Sequence, residues 1–386
     1  MIWTSKITNK HFGGNGYLLS YLNLVFAVFL VFFSSNIFSG TVSNTWFKCF
    51  KGSIGTNKVT MFVFRYEDRA TGYYYYENEL FPRKVFGDFK RDSLSMISSG
   101  DGTHNDYYNG VLSSGKYSGI RNDDDNKNGV KFELTEDREI SKLFDFEFIS
   151  DEIRLIKNYD KSPTAHYAEG TIWPEKNNSN FDYITKVIAD EKKMDMNSHS
   201  VTWNMKNNMK TYFESYVKDY LDVTVEMLKK EKYTSSYNME EEDLLTTPYF
   251  DENIFVVSSS YYAFTGGAHG NYGTGFSNYD LKNKRKLALD DIINAEGKAA
   301  LPKLLEKYFR IGYQVEPEKS LMEWGLFSDA INVNDNFCLT PGCLTFCYVP
   351  YEIGSYAMGE AFIYIPVSEL DPFLSTRAKQ IISKKK

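Results

Sequence analysis

Between residues 41 and 137 the chain repeats one pattern eight times: a short segment alternating apolar and polar residues, then a cluster of turn residues. The segments are 49–54, 59–66, 72–76, 84–90, 93–98, 107–112, 116–121 and 130–135. Strands this short, spaced about ten residues apart, pair most readily with their sequence neighbours, which predicts an antiparallel meander closing as a small barrel or curling as a sheet. The run Gly72-Tyr73-Tyr74-Tyr75-Tyr76 puts tyrosines on both faces of one strand. A buried tyrosine needs a partner for its hydroxyl, so at least one of those faces is expected to be wet.

The pattern changes near Arg138. Strand-like pieces at 144–148 and 169–173 lead into a helix over 181–193. A longer helix is expected over 205–232, where Met209, Phe213, Val217, Leu221, Val225 and Leu228 recur at spacings of three and four as a core stripe. The acidic run Glu240 to Asp243 reads as a solvated face. Strands return from Asn253, a helix is expected over 298–309, strands follow at 336–349 and 361–366, and a terminal helix covers 367–382. Because strands and helices come in blocks, the expected class is α+β: an N-terminal all-β meander or small barrel followed by an α+β domain. The expected divisions are 1–40, 41–137 and 138–386.

Residues 24–33 are ten consecutive apolar residues, preceded by Lys6 and Lys10 and by no acid. That length is short for a bilayer span and suits the apolar region of a signal peptide; an uncleaved signal anchor is the alternative. Either way the bulk of the chain is expected outside the cytoplasm, in the periplasm, at the cell surface or secreted. Contact with a membrane is then expected only through this segment, if it is not cleaved. The full chain has 44 basic and 51 acidic residues, a net charge of -7, and removing residues 1–40 shifts it to -9. Such a surface repels a phosphate backbone, so nucleic acid is not an expected partner.

Cys338, Cys343 and Cys347 fall inside ten residues. Two strands around a Thr340-Pro341-Gly342 turn would bring Cys338 and Cys343 nearly opposite each other. A disulfide, a three-thiolate metal site and small buried apolar side chains are the alternatives, the last being favoured because no nearby histidine supplies a fourth ligand. The segment 122–129 has the first half of a calcium loop but lacks the acid at its twelfth position, and reads as a hairpin turn. No metal or cofactor is expected.

Six segments occur in order: YAFTGGAHG at 262–270, SNYDL at 277–281, LALDDII at 287–293, NFCLTPGCLTF at 336–346, YEIGSYAMG at 351–359 and IPVSEL at 365–370. Together, over about 253–374, they resemble the RsiV-like C-terminal domain family. That family is named after an anti-sigma factor whose extracytoplasmic part senses lysozyme, and the set also resembles the non-catalytic region of PdaC-type peptidoglycan deacetylases. The resemblance implies an α+β domain that binds a macromolecular ligand at the cell envelope, with a muramidase as the named candidate. At most about 17 residues precede the apolar stretch counted from Leu18, too few to hold a sigma factor. The five histidines, His11, His104, His166, His199 and His269, lack the His-x-x-x-His spacing of the deacetylases. Neither activity is therefore expected.

Within these motifs the candidate binding residues are Thr265, Gly266, Gly267, His269 and Tyr272, joined by Tyr351, Glu352 and Tyr356. His269 lies on a glycine-rich loop, where it can shape the turn, bind a ligand or act as a general base in an envelope hydrolase. No nucleophile elbow accompanies it, and no catalytic residue is assigned. Glu352 and Glu360 flank a Gly/Tyr/Ala loop as a carboxylate pair of unknown separation. Aromatic residues make up 16% of the chain, and exposed tyrosines suit both protein interfaces and sugar-stacking surfaces, so a module in the β domain that binds cell-wall glycan or a small ligand is the second expectation.

Overall fold

A computed structural model describes residues 44–98, 105–124, 129–231 and 233–383. The eight alternating segments form β1 (Trp46–Ile54), β2 (Asn57–Tyr66), β3 (Arg69–Tyr76), β4 (Arg83–Lys90), β5 (Ser93–Ser98), β6 (Asp106–Ser113), β7 (Lys116–Asp123) and β8 (Val130–Glu136). Each strand pairs antiparallel with the next, and β8 returns to β1 from Phe50↔Glu136 to Ile54↔Phe132, closing a barrel. Side chains including Phe50, Met61, Tyr74, Met96, Tyr108, Tyr117 and Phe132 fill its interior. Gly52 and Gly87 show how the wall closes: a Cβ at either would stand 2.0 Å or 1.9 Å from a carbonyl oxygen of the neighbouring strand. Only glycine permits that close approach.

A short helix, α1 (Arg138–Ser141), leads to a six-stranded sheet built from β9 (Phe144–Arg154), β10 (Thr164–Pro174), β11 (Met239–Phe250), β12 (Ile254–Phe264), β13 (Asn271–Asp280) and β14 (Arg285–Leu287). Its order is β14-β13-β12-β11-β10-β9, with β10 and β11 parallel and every other pair antiparallel. The parallel pair needs a crossover, which α2 (Phe181–Glu191), α3 (Val201–Asp219) and α4 (Val225–Lys230) supply. After β14 come α5 (Leu289–Ile292), α6 (Ala295–Gly312) and α7 (Leu321–Trp324). A three-stranded sheet of β15 (Phe337–Leu339), β16 (Cys343–Tyr348) and β17 (Ala361–Pro366) follows, then α8 (Val367–Leu370) and α9 (Thr376–Ile382). The α+β class with a leading barrel is what the structure has. No helix among the described residues is long and apolar enough to cross a membrane.

The outer wall of the barrel packs on the sheet through aromatic rings. Phe47 meets Phe144 at 5.8 Å, Phe64 meets Phe146 at 5.3 Å, Tyr66 meets Phe148 at 5.0 Å and Phe62 meets Phe250 at 5.7 Å. Gly170 of β10 leaves room for this layer, since a Cβ there would lie 2.7 Å from Phe146 and 2.8 Å from Leu244. The wet face expected for the tyrosine strand is absent. Tyr74 points into the barrel while Tyr73 and Tyr75 point into the layer against the sheet, and all three are buried. Two of the hydroxyls are met by long-range partners: Tyr74 donates to Asp106 at 2.7 Å, and Tyr73 shares a 2.6 Å hydrogen bond with Ser258.

Three further expectations are corrected. The helix expected over 205–232 is two helices, because the chain turns at 220–224 and Thr224 restarts it by accepting from the Met227 N–H at 3.3 Å. Of its proposed core stripe only Leu228 is buried; Met209, Phe213 and Val225 are half-buried, and Val217 and Leu221 are 38% and 71% exposed. The buried positions of α3 are Val201, Asn204, Met205 and Tyr216, since the sheet face beneath this helix carries polar groups. There Tyr167 donates to Glu169, and Lys192 pairs with both Glu169 and Asp243 at 2.8 Å. The acidic run Glu240 to Asp243 is not a solvated face either. It lies in β11, inside the sheet, where Glu242 pairs with Arg69.

The cysteines are all buried and free, and the hairpin register sets Cys338 opposite Thr345 rather than opposite Cys343. The apolar N-terminal run and residues 125–128 of the expected calcium-like turn lie outside the described residues.

Candidate functional site

The β12–β13 hairpin carries the glycine-rich motif at its tip. Gly266 and Gly267 adopt φ of +83° and +104°, and Gly266 is pressed against the backbone of Ser236, whose carbonyl oxygen would lie 2.5 Å from a Cβ. These two residues need glycine to turn the chain beside that wall. Thr265 and Gly267 are exposed on the loop, and His269 follows at its descending end.

His269 is anchored on both sides. Its Nδ1–H donates to the Gly270 carbonyl at 3.0 Å, which fixes the tautomer, and its Nε2 faces the Tyr351 hydroxyl at 3.4 Å. The Tyr356 hydroxyl donates to the same Gly270 carbonyl at 2.7 Å, and its ring stacks on the imidazole with centroids 3.8 Å apart. Tyr351 lies 5.7 Å from Tyr356, and Tyr272 meets Tyr356 edge-on at 5.6 Å. Tyr262 closes the floor, its ring 2.6 Å from where a Gly270 Cβ would stand. Burial pushes the Tyr262 phenol up to about 12 and raises those of Tyr272 and Tyr356, so these hydroxyls remain protonated donors at neutral pH.

The structure thus gathers His269, Tyr272, Tyr351 and Tyr356 into one aromatic cluster, with Tyr262 beneath. Glu352 stands apart from their chemistry. Its Oε1 accepts from Asn334 Nδ2 at 2.7 Å and its Oε2 from the Val349 N–H at 3.0 Å, so it ties the turn that carries Tyr351. Tyr351 itself has φ of +71° and is 55% exposed. A bulky residue held in the left-handed region is strained, and here the strained turn lifts the ring toward solvent.

No sequence motif marks Asn334 and Asn336, which hold this arrangement across the chain. Asn336 Nδ2 donates to the Thr274 carbonyl at 2.7 Å and its Oδ1 accepts from the Phe276 N–H at 2.8 Å, locking the loop before β15 onto β13. Glu360 lies elsewhere from Glu352 in function: it faces Lys84 of the barrel at 3.8 Å, and Lys84 also donates to Ser260 and Thr274.

Neither nitrogen of His269 meets a carboxylate, the partner that would orient an imidazole as a general base. Among the described residues no group of three His, Cys, Asp or Glu side chains is placed to hold a metal ion. What the cluster offers is a set of stacked rings and hydroxyl donors at the surface.

No curated protein matches the chain. Among solved structures it is similar to a DUF3298-family protein from Bacteroides fragilis, with 26% identity and a TM-score of 0.56, over 63% of this chain and 97% of that one. A DUF3298-family protein from Pseudomonas aeruginosa matches at 18% identity and a TM-score of 0.42, over 60% of this chain and 95% of that one. Within the chain itself, residues 290–368, which include the Tyr351 turn and Tyr356, match the family described as a protein of unknown function, DUF3298.

Proposed function

We propose that this is an exported recognition protein of the cell envelope, which binds a macromolecular ligand through the aromatic cluster around His269 and Tyr356. The observation that carries the reading is Tyr351: an exposed ring on a strained turn, braced by Glu352 and Asn334 and backed by the His269–Tyr356 stack. Aromatic side chains held rigid before binding lose little entropy on contact and recur as interface anchors. The RsiV-like resemblance of the motifs that build the cluster points to a lysozyme-like muramidase as the ligand. Such enzymes are commonly basic, and a net charge of -9 on residues 41–386 would steer their approach.

The test is a titration of residues 43–386, which form one compact unit, against a purified muramidase at low salt. Saturable binding that weakens by about tenfold or more in Tyr351→Ala is expected for a central aromatic anchor. Absence of binding, or identical binding by wild type and Tyr351→Ala, would overturn the reading.

A further inference from the structure

Between Lys319 and Arg377 the chain carries seven acidic residues and no lysine, arginine or histidine; Glu360, Glu369 and Asp371 are paired with Lys84, Lys307 and Lys379 from outside the stretch, which leaves Glu323, Asp329, Asp335 and Glu352. Over the same stretch three large apolar side chains, Met322, Phe327 and Tyr351, each leave more than half of their surface exposed. Single exposed apolar residues are ordinary, but a group of them within an acidic rim marks a contact surface.

The backbone brings the three to one end of the molecule. The Leu326 N–H donates to the Leu321 carbonyl at 2.9 Å, which ties the segment carrying Phe327 to α7 and Met322. The Phe327 N–H donates to the Ile353 carbonyl at 2.9 Å, and Leu326 pairs with Gly354, which sets Phe327 beside the turn that presents Tyr351. Two exposed acids flank the group: Glu323 follows Met322, and Asp335 follows Asn334, the residue bonded to Glu352. Neither Glu323 nor Asp335 forms an ion pair with a described residue, whereas Asp329 is occupied in capping α7 through Ser320 and the Met322 N–H.

We infer that Met322 and Phe327, with Glu323 and Asp335, extend the Tyr351 site into a docking surface for a protein of positive surface charge. The inference deepens the proposed recognition function and rests on it for the role of Tyr351. The occupant follows from charge: a nucleic acid, an acidic protein or an anionic membrane would meet uncompensated carboxylates here, while a neutral glycan would leave them without a partner. A basic protein surface neutralises Glu323 and Asp335 at the rim while the apolar side chains desolvate at the centre.

The experiment measures binding of two basic probes, a basic lysozyme and cytochrome c, with serum albumin as the acidic control, to the full chain in mild detergent. Wild type is compared with Met322→Ser/Phe327→Ser, with Glu323→Lys/Asp335→Lys, and with Tyr351→Ala. All four positions of the two double variants are exposed, and unchanged thermal unfolding is the check that each folds. The expected result is binding of the lysozyme, not of albumin, weakened by about tenfold in either double variant, with a shallower salt dependence in the charge-reversed one. If lysozyme binding is lost in Tyr351→Ala but unchanged in both double variants, the docking surface is overturned and the recognition function stands. If only cytochrome c binds, and the charge reversal abolishes it, the basic-partner surface stands and the muramidase reading falls. Binding of neither basic probe, or equal binding of albumin, overturns both.

Discussion

Arg69, on the rim of the barrel, and Glu242, in the middle of the six-stranded sheet, meet in an ion pair at 2.6 Å. Both side chains are mostly covered, at 28% and 17% exposed, so the pair is screened less than a surface salt bridge. Changing Arg69→Met is expected to lower stability by about 1–2 kcal/mol, since it leaves Glu242 under the barrel edge without its partner. A double-mutant cycle with Glu242→Gln, followed by urea unfolding, should show the two positions coupled; additive effects would deny the contact an energetic role.

Tyr73 and Ser258 join the same two parts through a hydroxyl pair that is wholly buried. Tyr73→Phe strands the Ser258 hydroxyl and is expected to cost about 1–3 kcal/mol. Adding Ser258→Ala should recover much of that loss, because both polar atoms are then gone. Equilibrium unfolding of the two variants measures the difference.

The buried thiols predict a loss of stability in alkali. Burial pushes the Cys49 thiol from 9.0 up to about 12, and burial, partly offset by hydrogen bonds from Thr340 and Thr345, pushes Cys343 up to about 11. In the folded chain these thiols keep their protons to a higher pH than in the unfolded chain. Their contribution is therefore complete below pH 9 and is lost as the pH rises from 9 through 11 to 12. Denaturant midpoints should fall between pH 8.5 and 10.5, and less steeply in Cys343→Ala. Native thiols should also resist a maleimide reagent at pH 8 until the chain is unfolded.

Tyr351 should separate stability from binding. Replacing it with glycine removes the strain at φ +71°, which is expected to offset the added freedom of the unfolded chain and to keep stability within about 1 kcal/mol of wild type. Ligand binding is expected to be lost in the same variant. By contrast Gly270→Ala, whose new methyl would press on the Tyr262 ring, should weaken both, and the near-ultraviolet circular dichroism of the tyrosines should change with it.

All eight barrel strands were legible because alternation is local: a segment such as 59–66 states its own period whatever lies beyond it. The faces those strands present were not. Tyr73 reads as a candidate wet tyrosine until Ser258, far along the chain, is set against it. The acids at 240–243 read as solvated for the same reason, since their neutralising partners Arg69 and Lys192 come from other elements. In the candidate site, the glycine loop and its histidine announced themselves by composition, and Tyr272, Tyr351 and Tyr356 came with the motifs. The braces Asn334 and Asn336 carry no local signal, because an asparagine between turns looks the same whether or not it spans two strands.

The loop between β3 and β4 sits in the turn of the cysteine hairpin. Thr340 Oγ1 donates to the Leu80 carbonyl at 2.7 Å across 260 residues, Phe81 stacks on Tyr364 at 5.6 Å, and a Cβ on Gly342 would stand 1.8 Å from the Glu79 carbonyl oxygen. That contact sets an order of events during synthesis. The barrel strands precede their dock in the chain and pair locally, yet Leu80 and Phe81 find it only after Thr340 and Tyr364 have been made. A chain halted before Thr340 would hold a closed barrel with a sticky loop uncovered. The hairpin around Thr340 and the strand of Tyr364 therefore act as the seal on the barrel.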